Sequence, residues 1–298
     1  MRQKHLGKYL LGSATVLTFL IVGVATSTQA TLFIVNQLAL TQEMQRYTSI
    51  AYGSEAAQQL DVYTPINTTY TSSLPVVIFF YGGCWGACET LPKEDYAFVA
   101  QTLLEHGIVV VIADYRLFPT VRFLSIIEDA RNAVEWTHQH IAEYGGNPKQ
   151  LFLMGHSAGA HLAAMLAMNQ AYLSQDAYAD LNGFIGLAGP YNFLPFDEPY
   201  MPELFGPPLN EHESQPITYV DGSEPPSLLL YGDADTRVKP VNIDGLFKRL
   251  EAANSPVQKR IYQGVDHADI IASFAMPLRR ENPVVLDAIQ FISASANN

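Results

Sequence analysis

The sequence predicts a single α/β domain with a mostly parallel central sheet and helices on both faces, and three observations predict it. Short β-rich runs alternate with helix-length amphipathic segments along most of the 298 residues, which is the sequence form of parallel strands joined by helical crossovers. The inner runs are continuously apolar, as strands covered on both faces require. Hydrophobic residues make up 48% of the chain and charged residues only 15%, which supplies one large core and argues against general disorder. The length exceeds that of an ordinary domain, yet α/β folds of this size commonly close around a single core.

In chain order, residues 47–52 and 59–63 alternate as half-exposed strands, an expected antiparallel edge to the sheet. Continuous apolar runs of strand length follow at 75–81, 108–113, 151–154, 184–188 and 227–231, each with a turn signal at one end or both, and 257–262 is a more polar sixth. Between them, residues 94–106, 126–144, 158–168, 243–253 and 284–295 carry apolar side chains three and four apart, the spacing of covering helices. Residues 190–226 are rich in Pro, Glu, Asp and Tyr and lack a period, so they read as a lid-like insertion that shapes a substrate pocket. No internal repeat interrupts this order. The expected catalytic domain covers residues 41–298.

The chain carries 17 basic and 29 acidic side chains, a net charge of -12. An acidic body repels phosphate backbones, which excludes nucleic acid as a partner class. Three of the basic residues, Arg2, Lys4 and Lys8, precede an uncharged run from Tyr9 to Ala25. That pattern over residues 1–30 is a secretory signal or an N-terminal membrane anchor. Thr28 and Ala30 offer small residues for cleavage, while the apolar stretch 31–40 leaves an uncleaved anchor open. Either way the expected location is exported or membrane-anchored. Cys84 and Cys88 are the two cysteines; an even count permits one short disulfide, with two half-buried thiols as the alternative. Two such ligands make a poor metal site, so no metal is expected. Asn67-Thr68-Thr69 matches a glycosylation acceptor, a tripeptide common by chance.

The chemistry concentrates at residues 151–159. Leu151-Phe152-Leu153-Met154 runs into Gly155-His156-Ser157-Ala158-Gly159 and then into an Ala-rich helix, the strand, sharp turn and helix that present a nucleophilic serine. The glycines let the turn tighten, the serine is held in a strained conformation with its hydroxyl above the sheet, and the helix start favours a developing oxyanion. A serine hydroxyl needs a base to take its proton and an acid to orient that base, and in folds of this kind the chain order is Ser, acid, His. Of the eight histidines, His212 and His267 lie well downstream of Ser157, and His267 alone also follows a candidate acid at a strand end. His156 lies inside the turn, His161 one helical turn beyond it as a support of the helix, and His212 in the insertion. The candidate acids are Asp233 and Asp235, after the strand 227–231; spacing does not choose between them, and one is expected to cap the loop backbone. Oxyanion donors are expected from the backbone N–H of Ala158 and of Gly83 and Cys84 in the loop Tyr81-Gly82-Gly83-Cys84-Trp85.

These stretches resemble the esterase/lipase branch of the α/β-hydrolases, which includes hormone-sensitive-lipase-like carboxylesterases and the kynurenine formamidase relatives. The resemblance runs from about residue 60 to residue 267 and rests on Leu60-Asp61-Val62-Tyr63-x-Pro65, Gly82-Gly83-x-Trp85, Asp114-Tyr115-Arg116-Leu117-x-Pro119 and Tyr144-Gly145-Gly146-Asn147-Pro148 as well as the serine motif. It implies the α/β-hydrolase fold, hydrolysis of a small-molecule ester, or sometimes of an amide or formamide, and no metal or organic cofactor. It also implies a pattern Gly-x-x-Asp-x-x-Val that maps onto Gly232, Asp235 and Val238, which selects Asp235 over Asp233. Trp85, Tyr115 and Arg116 would then support the oxyanion loop and the sheet edge. Two positions depart from the family: Tyr81 stands where a histidine usually begins the oxyanion loop, and Cys84 where a glycine or an aromatic is common, so both bear on the loop's hydrogen bonds and on the acyl pocket. The expectation is a serine carboxylesterase with Ser157, His267 and Asp235 as its triad. An arylformamidase using the same residues is the alternative. A non-catalytic binding protein on the same fold is a rival that the complete set of catalytic elements disfavours.

Overall fold

The computed structural model describes residues 44–66, 74–88, 92–276, 278–279 and 282–296. The expected signal or anchor and the Asn67 tripeptide lie outside the described residues. Eight strands form one sheet: β1 (Gln45–Ala51), β2 (Gln59–Thr64), β3 (Leu74–Phe80), β4 (Val109–Ala113), β5 (Gly146–His156), β6 (Leu181–Leu187), β7 (Ser227–Gly232) and β8 (Val257–Tyr262). Their order is β1-β2-β4-β3-β5-β6-β7-β8. β1 pairs antiparallel with β2, and β2 antiparallel with β4. Every later pairing is parallel. The sheet is therefore the expected mostly parallel one with an antiparallel edge.

Burial follows the sequence pattern strand by strand. All five residues of β4 are buried, as an all-apolar run between two helical layers must be. β5 is longer than its apolar run predicts because the mixed stretch Gly146 to Gln150 continues the extended chain, and only Leu151 to His156 are buried without interruption. At the far edge β8 carries charge on both faces, a half-buried Lys259 and an exposed Arg260, chemistry that discourages pairing with another strand.

The main covering helices are α1 (Ala97–Leu104), α2 (Phe123–His140), α3 (Ala158–Met168), α4 (Val241–Ala252) and α5 (Pro283–Ser295). Two are shorter than their periodicity suggests, because the tighter turns Lys93–Tyr96 and Ile141–Tyr144 carry the same spacing beyond the helix proper. Asn282 caps α5 by accepting from the Val284 N–H at 3.0 Å, with Pro283 at the first position, where no N–H is needed. All eleven residues of α3 are buried. Its run of Ala, Leu and Met leaves no polar face, and it packs on β5 and β6 under the insertion.

Residues 190–226 hold the short helical turns Met201–Leu204, Glu211–Ser214 and Pro216–Tyr219. Phe193, Phe196 and Phe205 from this segment form a cluster of ring contacts with Trp85 and His161, which seats the insertion against the loop after β3 and against α3. No helix among the described residues is long and apolar enough to cross a membrane.

Candidate active site

The turn between β5 and α3 is tight enough to exclude side chains at its two glycines. A Cβ on Gly155 would lie 2.3 Å from the Gly159 carbonyl oxygen, and one on Gly159 would lie 2.0 Å from that of Phe80. Between them Ser157 adopts φ 56° and ψ -124°, a conformation that an L-residue keeps only when its surroundings impose it. They do so from both sides: the Ser157 N–H donates to Leu187 at 2.9 Å, and its carbonyl accepts from the His161 N–H at 3.1 Å. The result is a hydroxyl held above the carboxyl end of the sheet at the first turn of a buried helix.

The loops after β7 and β8 bring the other two residues to it. His267 Nε2 lies 2.9 Å from Ser157 Oγ, and His267 Nδ1 lies 2.8 Å from Asp235 Oδ2. The carboxylate accepts only, so Nδ1 carries the ring proton and Nε2 offers its lone pair to the serine hydroxyl. The Asp235 side chain is fully buried, and its second oxygen accepts from the N–H groups of Arg237 at 2.8 Å and Val238 at 2.9 Å. Burial by itself would raise this carboxyl, but the hydrogen bond and charge of His267, with the two backbone donors, hold it below the usual range. Asp233 serves the loop instead: its Oδ1 accepts from the Gly264 N–H at 2.6 Å, at a glycine whose φ of 72° defines the turn. The two aspartates thus take different places, Asp233 against the loop backbone and Asp235 against His267.

The histidine inside the turn has a place that the sequence did not suggest. His156 is buried, and its Nε2 donates to the backbone carbonyl of His267 at 2.8 Å, fastening the loop that carries the imidazole. Burial, with the neighbouring His267 ring, pushes its pKa down to about 3, so it is neutral around pH 7.

Across from the serine, the loop after β3 runs through four consecutive residues with positive φ: Gly83 at 114°, Cys84 at 54°, Trp85 at 57° and Gly86 at 104°. A Cβ on Gly82 would come within 3.0 Å of that of Ser157, so the loop passes directly against the hydroxyl-bearing residue. Cys84 and Cys88 form a disulfide, with Cα atoms 5.3 Å apart. Among the described residues, the backbone N–H groups of Gly83, Cys84 and Ala158 have no backbone hydrogen-bond acceptor. These are the three amides expected from the sequence. Trp85 is buried, and its indole N–H donates to His161 Nδ1 at 3.2 Å.

Tyr81, the departure from the family pattern, points away from the site. Its hydroxyl donates to Asp114 Oδ1 at 2.6 Å, its carbonyl accepts from the Tyr115 hydroxyl at 2.8 Å, and its ring stacks between Tyr96 and Tyr115. It therefore fixes the root of the loop from the sheet side and does not line the cavity, which corrects the expectation that it shapes the acyl pocket. Arg116 pairs with Asp129 at 2.7 Å, away from the serine.

The cavity in front of Ser157 has a volume of about 580 Å³. Cys84, Trp85 and Cys88 form one wall, Phe193, Phe196 and Tyr200 of the insertion a second, and Arg237, Val238 and Lys239 a third. Among the described residues no group of three or more His, Cys, Asp or Glu side chains is arranged to hold a metal.

A serine on a strand–turn–helix, facing a histidine carried by the loop after the last strand of this sheet order, assigns the chain to the α/β-hydrolases. Over residues 60–250 its sequence matches the BD-FAE family, and the chain belongs to that family. Among curated relatives it is 28% identical over 247 residues to a probable isoprenylcysteine alpha-carbonyl methylesterase of Arabidopsis thaliana, covering 74% of this chain and 51% of that one. It is 33% identical over 155 residues to a kynurenine formamidase of Salmo salar, covering 52% of this chain and 49% of that one. The chain thus spans about half the length of both relatives. Among solved structures, esterase B from Lactobacillus rhamnosis superposes with a TM-score of 0.75 at 18% identity, covering 93% of this chain and 96% of that one, a likeness of fold.

Proposed function

We propose that the protein is a serine carboxylesterase in which Ser157, His267 and Asp235 form a catalytic triad. The observation that carries this reading is the line from Asp235 Oδ2 through His267 to Ser157 Oγ, with links of 2.8 and 2.9 Å, beside three amides with no backbone acceptor. His267 Nε2 takes the Ser157 proton as Oγ attacks the ester carbonyl, and Gly83, Cys84 and Ala158 donate to the oxyanion of the tetrahedral intermediate. His267 then returns the proton to the leaving alcohol, and an acyl-enzyme forms on Ser157. Water activated by the same imidazole releases the acid, while Asp235 keeps Nδ1 protonated and stabilises the imidazolium. The methylesterase relative supports ester cleavage; the formamidase relative supports a second reading, in which the same groups cleave an N-formyl bond. Export is part of the proposal, since a Cys84–Cys88 disulfide suits an oxidising compartment.

The test is hydrolysis of p-nitrophenyl esters from acetyl to long-chain acyl, beside N-formylkynurenine. Ester turnover that falls by several orders of magnitude in folded Ser157→Ala and His267→Ala proteins is expected. Undiminished turnover in a folded Ser157→Ala variant overturns the assignment, and faster cleavage of the formamide than of every ester favours the second reading.

A further inference from the structure

His161 lies outside the triad, buried one turn into α3, and touches three parts of the site at once. Its backbone N–H donates to the Ser157 carbonyl. Its Nδ1 accepts from the Trp85 indole N–H at 3.2 Å, and its Nε2 lies 2.7 Å from the Ser214 carbonyl oxygen in the insertion. An indole N–H only donates and a carbonyl only accepts, so a single neutral tautomer satisfies both, with the proton on Nε2. Phe123, Phe193 and Phe205 close around the ring at 5.2, 5.5 and 5.7 Å, which keeps water away from both bonds.

We infer that His161 is the positioning residue of the oxyanion hole, holding the Gly83–Cys84 amides in register with the Ala158 amide through the Trp85 indole. The inference rests on the esterase reading and deepens it. Cys84 and Trp85 both keep left-handed backbone conformations that are uphill for residues with a Cβ, so the loop needs outside constraint. The disulfide ties Cys84 to another part of the same loop and says nothing about where that loop sits relative to α3. The tie across the gap is the Trp85–His161 bond. It joins the residue next to one oxyanion donor to the helix whose first N–H is the other.

The two bonds of His161 can be separated. His161→Asn keeps an acceptor near the Nδ1 position and loses the reach to Ser214; His161→Gln keeps a donor near the Nε2 position and loses the acceptor for Trp85. With p-nitrophenyl acetate, the Gln variant should lose about 10- to 100-fold in kcat with KM within about twofold, as a displaced oxyanion donor predicts. Its affinity for an alkylboronic acid, which carries a tetrahedral anion on the serine, should fall by a similar factor. The Asn variant should stay within about threefold of wild type in both measurements. A role in stability alone predicts the reverse: equal effects of Asn and Gln that track their melting temperatures. That result, or an unchanged kcat in a folded Gln variant, overturns the inference. If neither variant folds, Trp85→Phe removes the same bond from the other side, and an unchanged kcat there overturns it. Wild-type protein that ignores both p-nitrophenyl acetate and a fluorophosphonate probe sinks the esterase reading itself, and this inference with it. Active wild type with an indifferent His161 sinks only the latter.

Discussion

At the scale of single residues, the two aspartates after β7 make the sharpest contrast. Asp235 meets His267 with a buried carboxylate and draws two backbone donors onto its other oxygen, while exposed Asp233 caps a turn through Gly264. Asp235→Asn replaces an acceptor with an amide that can present a donor to Nδ1 and so favours the wrong imidazole tautomer. A kcat loss of about 10³- to 10⁴-fold is expected. Asp233→Ala should leave kcat within a few-fold and lower stability by about 1 kcal/mol, one hydrogen bond's worth. Steady-state kinetics and thermal melts on the two variants check this, and equal kinetic effects contradict the division of labour. Spacing left the two aspartates equivalent because they lie two positions apart in one turn, and only the family pattern distinguished them. The contacts of His156 and His161 were illegible for another reason: their partners lie 111 and 53 residues away, and no local period records such a meeting.

At the scale of elements, the loop after β3 depends on its own closure. Residues 83–86 all have positive φ, and the disulfide links Cys84 to Cys88 across the turn that follows. A cross-link over so short a loop acts chiefly by restricting the backbone conformations open to it. Reduction with a phosphine should therefore lower kcat, and Cys88→Ser should reproduce the reduced level and respond no further to reductant. Full activity of protein shown by mass spectrometry to carry two free thiols contradicts this. The cysteine count permitted the bridge, but only the 3₁₀ turn at Cys84–Gly86 brings the two residues within reach. Most strands and helices were legible as apolar runs and three- to four-residue spacings. Their ends were less so, because turns such as Lys93–Tyr96 share the helical spacing while using different hydrogen bonds.

At the scale of the molecule, two histidines that stay neutral inside the protein make it acid-labile. Burial lowers His156 from 6.5 to about 3 and His161 from 6.5 to about 4. Between those values and 6.5 the unfolded chain binds a proton that the folded chain refuses, so stability rises with pH and falls on acidification. Each histidine should cost about a tenfold drop in the folding equilibrium per pH unit, from about pH 6 downward. Asp235 acts in the same direction but lower: its carboxyl is depressed from 3.8, so its contribution is present above that value and disappears as the pH falls through the folded one. Urea unfolding at pH 7, 5.5 and 4.5 measures the slope, and His161→Asn should flatten it by one proton; a wild-type slope indifferent to pH contradicts the argument. Globally, the sheet class was legible from the alternation of elements. The exchange of β3 and β4 in the strand order was not, since an apolar run states that a strand is covered on both faces without stating its neighbours.

The anchoring of Asp235 also constrains how such a protein can diversify. The peptide groups that hold its carboxylate belong to Arg237 and Val238, whose side chains form one wall of the cavity. If Asp235 orients His267 as proposed, a substitution there that reshapes the cavity also tugs on that carboxylate, so selectivity and rate should be coupled on that side. The wall of Phe193, Phe196 and Tyr200 lies apart from the turn that holds this carboxylate, though Phe193 packs against His161. Adaptation to new substrates should therefore proceed most freely through Phe196 and Tyr200, with Phe193, which packs against His161, and the turn after β7 as the parts least free to drift.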